Sequence, residues 1–436
     1  MAFARDAKPF VANSGIDPIS MRITFLTHYF SPEGNAPASR TYEHCKRWAA
    51  AGHDVTVVTC APSVPNGIVY DGYKNRFWPQ RETVDGIQVI RIWTYVAANA
   101  GGGRRILNYL SYLFSAVFCF LFFCRRPNIL VATSPQFFCG WAGTICSWLK
   151  WCPFLLEIRD IWPESIVTVG AMKQGFATKI LEILEVWMYR SANHIVTVGK
   201  GYRDNVLSKV DVTDRISVVT NGVDPNLFVP TEPSQEFRQQ FGCDDNKFLC
   251  SYVGTIGMAH GLTVVVEAAK LLRQQGRDDI VFCLVGDGAS RKSLQQQVDS
   301  EGLQDQVRFA GRLPKQDMPK VLSSSDSLLV HLKKTDLFAT VIPSKIFEAM
   351  AMNRPLIMGV QGESADIVAQ SQSGIQIEPD NAQELADAIV KLADDPQLYQ
   401  KLCNNGRKFV NQNYTRDSLA SEMLQTMVSV ANKKRN

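Results

Sequence analysis

Residues 342–357 read IPSKIFEAMAMNRPLI, a helix signal followed by an apolar strand. Pro343 suits the first turn of a helix, because the N–H that it lacks has no partner there. Lys345 and Glu348 are three residues apart and therefore share a face of that helix. N–H groups at a helix start attract phosphate oxygens, Lys345 adds a charge, and Glu348 can accept hydrogen bonds from a ribose diol. The pattern predicts a sugar-nucleotide site, with an ordinary exposed ion pair of Lys345 and Glu348 as the alternative.

Short apolar runs of β type alternate with longer helical patterns through most of the chain. Near-continuous apolar strands separated by helices are typical of parallel sheets that are covered on both faces. The sequence therefore predicts an α/β protein with two doubly wound, Rossmann-like domains. The predicted strands are Ile23–Thr27, Val55–Cys60, Gln88–Trp93, Ile129–Ala132, Phe154–Ile158, His194–Thr197, Ile216–Val219, Phe248–Val253, Ile280–Val285, Val307–Phe309, Ser327–Val330, Pro355–Gly359 and Gly374–Ile377.

A change in composition between Asn221 and Lys247 predicts the domain boundary, because prolines are followed there by polar residues. The first twenty residues are polar, lack the apolar core of a signal peptide, and are expected to be a disordered extension. The predicted segments are the extension (1–20), an N-terminal Rossmann-like domain (21–220), a linker (221–247), a C-terminal Rossmann-like domain (248–415) and a last helix that returns to the N-terminal domain (416–436).

Composition and charge restrict the function. The chain has 436 residues, 46% of them hydrophobic, which suffices for two or three domains. A net charge of +4 and the lack of a nucleic-acid-binding signature argue against a nucleic-acid partner. Its 11 cysteines show neither a C-x-x-C pair nor zinc spacing, which indicates buried thiols in a reducing, cytoplasmic compartment. No D-x-D pair, G-x-S-x-G elbow or Walker loop occurs, so we predict no metal site and neither a hydrolase nor an ATPase.

A long apolar run suggests a membrane. Residues 106–124 carry no charge and lie between two pairs of arginines, at positions 104–105 and 125–126. The run nearly reaches the length of a membrane span. A single crossing is not expected, because the strands predicted before and after it belong to one sheet. The helix is predicted either to lie in the core or to make peripheral contact with a membrane, where the arginines suit anionic headgroups.

Two loops in the first half carry polar residues after a predicted strand. The loop after the first strand contains Gly34, where a backbone N–H can approach a ligand closely. It is not a G-x-G-x-x-G loop, so a dinucleotide fold is not supported. The strand that ends at Ile158 is followed by Arg159 and Asp160. Asp160 can orient or deprotonate an acceptor hydroxyl, or else cap the following turn.

Three turns in the second half are rich in glycine. Residues 251–262 read SYVGTIGMAHGL, a loop that can wrap a diphosphate, with Thr255 and His260 as side-chain donors. His260 could instead be no more than a histidine at a helix start. Two later turns, around Gly286 and Arg312, are candidates for a base pocket or plain turns.

The order of these motifs resembles the family 4 retaining glycosyltransferases of the GT-B fold. More narrowly, it resembles the bacterial branch that builds O-antigen and exopolysaccharide, including L-fucosamine transferases. The resemblance implies two Rossmann-like domains facing across a cleft, the N-terminal one on the acceptor side and the C-terminal one binding the nucleotide sugar. It covers about residues 21–430 and depends on the Gly34 loop, Arg159–Pro163, Thr220–Asp224, Gly254–Gly261, Gly286–Gly288 and Pro343–Glu348.

The resemblance also assigns roles to residues. Glu348 matches the carboxylate that binds the nucleotide ribose, and Ser344 and Lys345 match the residues that hold the diphosphate. The loop at Gly34 faces the donor phosphates or the acceptor in the family. Residues at the Arg159–Asp160 position lie near the reacting centre of the enzymes that the chain resembles.

The chain departs from the family pattern in two places. Thr340 stands where the family has a first Glu that touches the donor sugar, which leaves the donor open. Gly257 and His260 stand where an Arg and a Lys of the glycine loop are usual. Lys345 is expected to compensate for the missing positive charge.

The resemblance implies a cytoplasmic enzyme at the inner face of the plasma membrane. It would move a sugar, with retention, from a nucleotide-diphosphate sugar such as a UDP-sugar to a glycan or polyprenyl-linked acceptor, without metal or cofactor. Two alternatives are a sugar-nucleotide 2-epimerase, with His260, His331 and Glu348 as its few acid–base candidates, and a catalytically retired homologue that serves as a membrane-bound assembly component.

Overall fold

In the computed structural model the chain forms two compact units. The structure describes residues 20–433 except 65, 98–101, 169–174, 245 and 337. The first unit comprises the described residues up to Val198, residues 202–219 and those from Ala420 onward, and the second comprises residues 199–201 and 220–419. The stretch predicted as a linker, 221–247, belongs to the second unit. The predicted extension lies outside the described residues except for Ser20.

Eight strands form the sheet of the first unit: β1 (Arg22–Leu26), β2 (Asp54–Cys60), β3 (Gln80–Val84), β4 (Ile87–Ile92), β5 (Ile129–Thr133), β6 (Phe154–Ile158), β7 (His194–Thr197) and β8 (Ile216–Val218). Their order is β3-β4-β2-β1-β5-β6-β7-β8. All neighbours are parallel except β3, which pairs antiparallel with β4 at the edge. The carboxyl ends of β1 and β6 therefore lie at the same edge of the sheet.

The helices of this unit are α1 (Ala36–Ala50), α2 (Gly102–Phe123), α3 (Phe137–Lys150), α4 (Glu164–Thr168), α5 (Phe176–Ser191) and α6 (Lys200–Lys209). Asn35 fixes the start of α1, since its side chain accepts a hydrogen bond of 2.9 Å from the Ala38 N–H. Apolar side chains of β1, β5 and β6 pack with those of α2, α3 and α5 in one core.

Helix α2 packs on the sheet with one face only. Tyr112, Ala116, Cys119 and Phe120 are fully buried, and the Tyr112 hydroxyl donates to the Val58 carbonyl at 3.0 Å. By length and composition α2 could cross a membrane. It does not separate the strands, because β2 and β5 both pair with β1. One face of the helix lies in the core, as one of the two predicted alternatives has it, and an apolar face with Phe114, Phe118 and Phe122 is exposed.

Six strands, all parallel to their neighbours, form the sheet of the second unit: β9 (Phe248–Val253), β10 (Ile280–Val285), β11 (Val307–Gly311), β12 (Ser327–His331), β13 (Leu356–Gly359) and β14 (Gly374–Gln376). Their order is β11-β10-β9-β12-β13-β14. The helices are α7 (Gln235–Gln240), α8 (Thr263–Gln274), α9 (Arg291–Ser300), α10 (Met318–Ser324), α11 (Lys345–Ala351), α12 (Glu363–Ser371), α13 (Ala382–Asp394) and α14 (Pro396–Asn413).

The last helix, α15 (Arg416–Lys433), begins in the second unit and continues in the first. In the first unit, the Trp48 ring N–H donates to the Ala420 carbonyl at 2.9 Å.

Two Rossmann-like α/β domains were predicted, and the two parallel-sheet cores confirm that fold class. Each predicted apolar run forms a strand, within one or two residues at its ends. Strand β3 was not predicted. Its residues, QRETV, alternate between half-buried and exposed positions at the sheet edge, so they show no apolar run.

Candidate active site

The structure brings the Gly34 loop and Arg159 together at one sheet edge of the first unit. The Arg159 guanidinium donates to the carbonyls of Pro37 at 3.2 Å and Ala36 at 3.3 Å, in the first turn of α1. Gly34, two residues before that turn, is exposed, and a Cβ added to it would have no atom within 4 Å. Arg159 therefore links the end of β6 to the start of α1, which follows the Gly34 loop.

Asp160 is partly buried beside this contact, and burial raises the pKa of its carboxyl to about 6. The Ser134 hydroxyl oxygen accepts the backbone N–H groups of Arg159 at 2.7 Å and Asp160 at 3.2 Å. Asp160 lines a small cavity with Trp162, whose ring stacks on that of Phe137 at 6.1 Å. A carboxyl that titrates near pH 6 is suited to exchange or orient the proton of a hydroxyl.

The glycine turns predicted in the second half lie together at the carboxyl ends of β9 and β10. The Gly254 N–H donates to Val285 O at 2.9 Å, and the Gly286 N–H donates to Gly311 O at 2.8 Å. A Cβ on Gly286, at φ +146°, would stand 1.8 Å from the Gly254 carbonyl oxygen. Only glycine allows the two turns to approach so closely.

Lys345 points into this group of turns. Its ammonium lies 4.1 Å from the centroid of the Tyr252 ring, and a Cβ on Gly254 would stand 2.8 Å from it. Burial lowers the pKa of Lys345 to about 8, against the opposing charge of Glu348. The structure shows, over the residues that it describes, neither a hydrogen bond nor an ion pair for this ammonium.

The predicted alternative, an ordinary ion pair between Lys345 and Glu348, is wrong. No such pair occurs in the described part of the chain. Burial raises the pKa of Glu348, and the charges of Arg416, Lys315 and Lys345 oppose this shift. Glu348 is thus a partly buried carboxylate in a positive field, one turn into α11.

His260 contacts the same group of residues. Its ring lies 6.0 Å from that of Tyr252, and a Cβ on Gly257 would stand 3.4 Å from its Nδ1. Burial lowers the pKa of His260 to about 4, and the charge of Lys345 adds to this shift. His260 is therefore neutral at pH 7 and can supply a hydrogen bond but not a charge.

His331 makes hydrogen bonds to backbone groups on both sides of its ring, one of them in the glycine loop. Its Nδ1 lies 2.7 Å from the His260 carbonyl, and its Nε2 lies 2.9 Å from the Asp380 N–H. A carbonyl can only accept and a backbone N–H can only donate, so Nδ1 carries the proton and Nε2 accepts. The ring thereby fixes the position of the loop through both nitrogens.

The start of α11 differs from the prediction. The helix begins at Lys345, two residues after Pro343. The N–H groups of Ile346, Phe347 and Glu348 already donate to the carbonyls of Pro343 and Ser344, because the first turn is tightly wound. The set of open N–H groups at this helix start is therefore smaller than predicted.

The structure also places the four remaining predicted site residues of the second unit, Ser344, Thr255, Thr340 and Arg312. Ser344 is the N-cap residue of α11, and Thr255 O accepts the Tyr252 hydroxyl at 2.8 Å. Thr340 lies in a 3-10 turn, where a Cβ on Gly201 would stand 2.9 Å from its own Cβ. Arg312 is exposed and follows Gly311, whose carbonyl accepts the hydrogen bond from the Gly286 N–H.

Several residues of the site had not been predicted from the sequence. Tyr252, Arg416, Lys315 and Ser134 had no predicted role, and the fold alone brings them to the site. Tyr252 lies two residues before the glycine loop, inside an apolar strand, so the sequence pattern predicts an ordinary core residue at this position. Over the described ranges of the chain, no group of three or more His, Cys, Asp or Glu side chains could hold a metal ion.

Comparison with known proteins gives two family matches. Residues 35–222 match the glycosyl transferase 4-like domain, and residues 233–409 match the glycosyl transferases group 1 domain. Among curated relatives, a putative colanic acid biosynthesis glycosyl transferase of Escherichia coli, WcaI, is 24% identical over 76% of this chain and 81% of its own length. An uncharacterized glycosyltransferase of Methanocaldococcus jannaschii is 21% identical over 87% of this chain and 91% of its own length.

Among solved structures, Anabaena Alr3699/HepE in complex with UDP and glucose has a TM-score of 0.68 at 18% identity, over 94% of this chain and all of that one. This likeness shows the fold. Together, the two domain matches account for most of both units. The chain thus carries a glycosyl transferase 4-like domain followed by a glycosyl transferases group 1 domain, and its two α/β units have the fold of the GT-B glycosyltransferases.

Proposed function

We propose that this chain transfers a sugar from a UDP-sugar to a hydroxyl group of a glycan or polyprenyl-linked acceptor, with retention at the anomeric carbon and without a metal ion. The proposed setting is cell-envelope polysaccharide synthesis, such as O-antigen or exopolysaccharide, in the cytoplasm at the inner face of the membrane. The E. coli relative, named for colanic acid biosynthesis, supports that setting, and the UDP bound in the Anabaena structure supports the nucleotide.

The observation that carries the proposal is the ammonium of Lys345. It is held over the Tyr252 ring, beside the closely packed glycine turns, without an anionic partner in the described chain. A partly buried cation without a counter-ion is costly, and an anion that binds there regains the lost solvation. The neighbouring carboxylate of Glu348 is the proposed ligand of a nucleotide ribose, so the proposed anion is the diphosphate attached to that ribose.

The chemistry follows from where charge develops. Breaking the bond between the anomeric carbon and the diphosphate oxygen leaves negative charge on the diphosphate. Lys345 would stabilise that charge directly, and the neutral ring of His260 would donate one hydrogen bond. The N–H groups of Ser344 and Lys345, and the Thr255 side chain, complete the set of proposed donors.

Glu348 is the proposed ribose ligand. Its carboxylate can accept both hydroxyls of a vicinal diol, and its place three residues after Lys345 puts it on the same face of α11. The positive charges of Arg416 and Lys315 support its ionised form against burial. Backbone groups of Gly286 and the side chain of Arg312 are proposed to contact the nucleotide base. Thr340 is proposed to lie near the donor sugar.

The acceptor hydroxyl is assigned to the first unit. Asp160 is proposed to orient it and to take up its proton, because a carboxyl with a pKa of about 6 is mostly ionised at pH 7. Arg159 is bonded to the carbonyls of Ala36 and Pro37, so it is proposed to shape the site and not to touch the reacting atoms. Gly34 is the proposed point of close approach for a phosphate or the acceptor.

The family matches do not favour the 2-epimerase. The geometry agrees with this, because His331 uses both ring nitrogens to hold backbone groups and is not available for proton transfer to a sugar. A retired homologue would bind UDP but release none from any donor.

The test is a donor panel. The chain is incubated with UDP-, GDP- and ADP-sugars, the L-fucosamine donor among them, with and without a polyprenyl diphosphate sugar acceptor. We expect release of one nucleotide that depends on acceptor, and a product with the anomeric configuration of the donor by NMR. Lys345→Met should abolish release, while Lys320→Met should not, because Lys320 pairs with exposed Glu236 in the same unit. An epimer without acceptor, or nucleotide binding without turnover of any donor, would overturn the proposal.

A further inference from the structure

The first unit exposes an aromatic surface that the proposed reaction does not use. We define the aromatic surface as Phe114, Phe118 and Phe122 of α2, Trp148 and Trp151 at the end of α3, and Trp187 of α5. Phe122 is 71% exposed and Trp151 is 78% exposed. Exposed large apolar residues that stand alone are ordinary, but a continuous patch of them marks an interaction site.

The patch spans neighbouring helices, because α3 packs against both α2 and α5. The rings of Phe118 and Phe122 lie 5.0 Å apart. The Arg126 guanidinium donates to the Trp151 carbonyl at 2.7 Å, which joins the end of α2 to the end of α3. The three helices thus form one layer on the sheet, and their outer faces form one surface.

The charges around the aromatic surface are mostly positive. Neither α2 nor α3 contains an acidic residue, whereas α5 contributes exposed Glu182 and a buried Glu185 that pairs with Lys209. Exposed Arg125 and Arg126 follow the end of α2 after Cys124. Arg125 also lines a groove with Arg22 and Arg81, next to Phe123 and with one acidic residue, Asp54. Aromatic side chains between arginines suit the interface of an anionic bilayer, since rings enter the headgroup layer and arginines bind lipid phosphates.

We infer that the aromatic surface and its arginines dock this chain on an anionic lipid bilayer, with α2 lying in the interface and not across it. This inference deepens the proposed function by naming the docking surface and the lipid that it contacts. It rests on the proposed function only in its reason for docking, which is access to a lipid-linked acceptor. The favoured occupant is lipid and not a protein partner, because α2 combines an uninterrupted apolar run with arginines at both ends.

The test is co-sedimentation of the full chain with vesicles of phosphatidylcholine alone, or of phosphatidylcholine mixed with phosphatidylglycerol. We expect binding to the anionic vesicles only, weakened by salt. Phe122→Ser combined with Trp151→Ser should weaken binding at least about tenfold, because two buried rings are lost from the bilayer. Ile68→Ser is the matched control, since Ile68 is 71% exposed, like Phe122, but lies outside the patch. Arg125→Glu combined with Arg126→Glu should abolish the preference for anionic lipid.

UDP titration and thermal unfolding without vesicles check that each variant is folded, and they separate a failure of the lipid inference from a failure of the proposed function. The inference is wrong if the wild-type chain ignores anionic vesicles, or if the aromatic double variant binds them as well as Ile68→Ser does. It is also wrong if sedimentation shows a dimer that the double variant dissociates, because the surface would then join two copies of the chain.

Discussion

The ammonium of Lys345 lies 4.1 Å from the centroid of the Tyr252 ring, and the Tyr252 hydroxyl donates to Thr255 O at 2.8 Å. One residue therefore holds both the cation and the glycine loop that are proposed to bind the diphosphate. Tyr252 is 1% exposed, so its ring cannot turn away without repacking the core around it. This relation makes Tyr252 a positioning residue for Lys345.

Replacing the Tyr252 ring should weaken UDP binding. Tyr252→Leu removes the face that holds the ammonium, a contact worth about 0.5–2 kcal/mol, and UDP affinity should fall about twofold to thirtyfold. Tyr252→Phe keeps the face and loses only the bond to Thr255 O, so its affinity should stay within about threefold of wild type. Calorimetric titration measures both. Equal losses in the two variants would mean that the ring face does not position Lys345.

UDP binding should weaken as the pH rises above about 8. Burial lowers the pKa of Lys345 to about 8, so the ammonium that attracts the diphosphate is present below this pH and is lost above it. Lys345→Arg keeps its charge throughout, because a guanidinium does not titrate in this range. The pH dependence between 7 and 9.5, measured by fluorescence titration, should therefore be absent in Lys345→Arg. An identical decline in both proteins would assign the effect to another group.

Asp160→Asn should make the protein more stable and less active. Burial raises the pKa of Asp160 from 3.8 to about 6, so the ionised carboxyl destabilises the folded state; this cost grows as the pH rises from about 4 to about 6 and is constant above it. Since the residue is partly exposed, the gain on removing the charge should be about 1–2 kcal/mol at pH 8 and should vanish below pH 4.

In the same variant, turnover should fall about a hundredfold or more, if Asp160 takes up the acceptor proton. In the wild-type enzyme, activity should decline as the pH falls below about 6. Chemical unfolding and transfer assays at several pH values measure the two effects. A variant that is stabilised and fully active would show that Asp160 only caps its turn.

Gly286→Ala should damage both folding and the donor site. Its Cβ would stand 1.8 Å from the Gly254 carbonyl oxygen, so one of the two turns has to move. The expected cost is about 2–4 kcal/mol, together with weaker UDP binding. Gly276→Ala is the matched control, because Gly276 also has positive φ (+73°) but nothing within 4 Å, so it should cost about 1 kcal/mol. Equal costs would mean that the clash is relieved without moving the Gly254 turn.

The strands could be predicted from the sequence because parallel strands buried on both faces are continuous apolar runs. Strand β3 could not, since an edge strand that is half exposed has no such run. The glycine turns and the Lys345 helix were also recognisable, because close backbone approach and a helix start leave local signals. The roles of Tyr252 and His331 were not recognisable, because these roles depend on contacts with residues far along the chain. The missing ion pair between Lys345 and Glu348 could not be predicted either, since a three-residue spacing allows contact but does not require it.

Lys345 is proposed to bind the diphosphate without help from a metal ion. The direct measurement is calorimetric titration of UDP into the wild-type chain and Lys345→Met, each with excess EDTA. We expect wild-type affinity to be the same with and without the chelator. Lys345→Met should bind UDP about tenfold to a hundredfold more weakly, because a charge-assisted hydrogen bond is lost. Binding that disappears in EDTA would show that a metal ion is required, and binding that is unchanged in Lys345→Met would show that this residue does not hold the diphosphate.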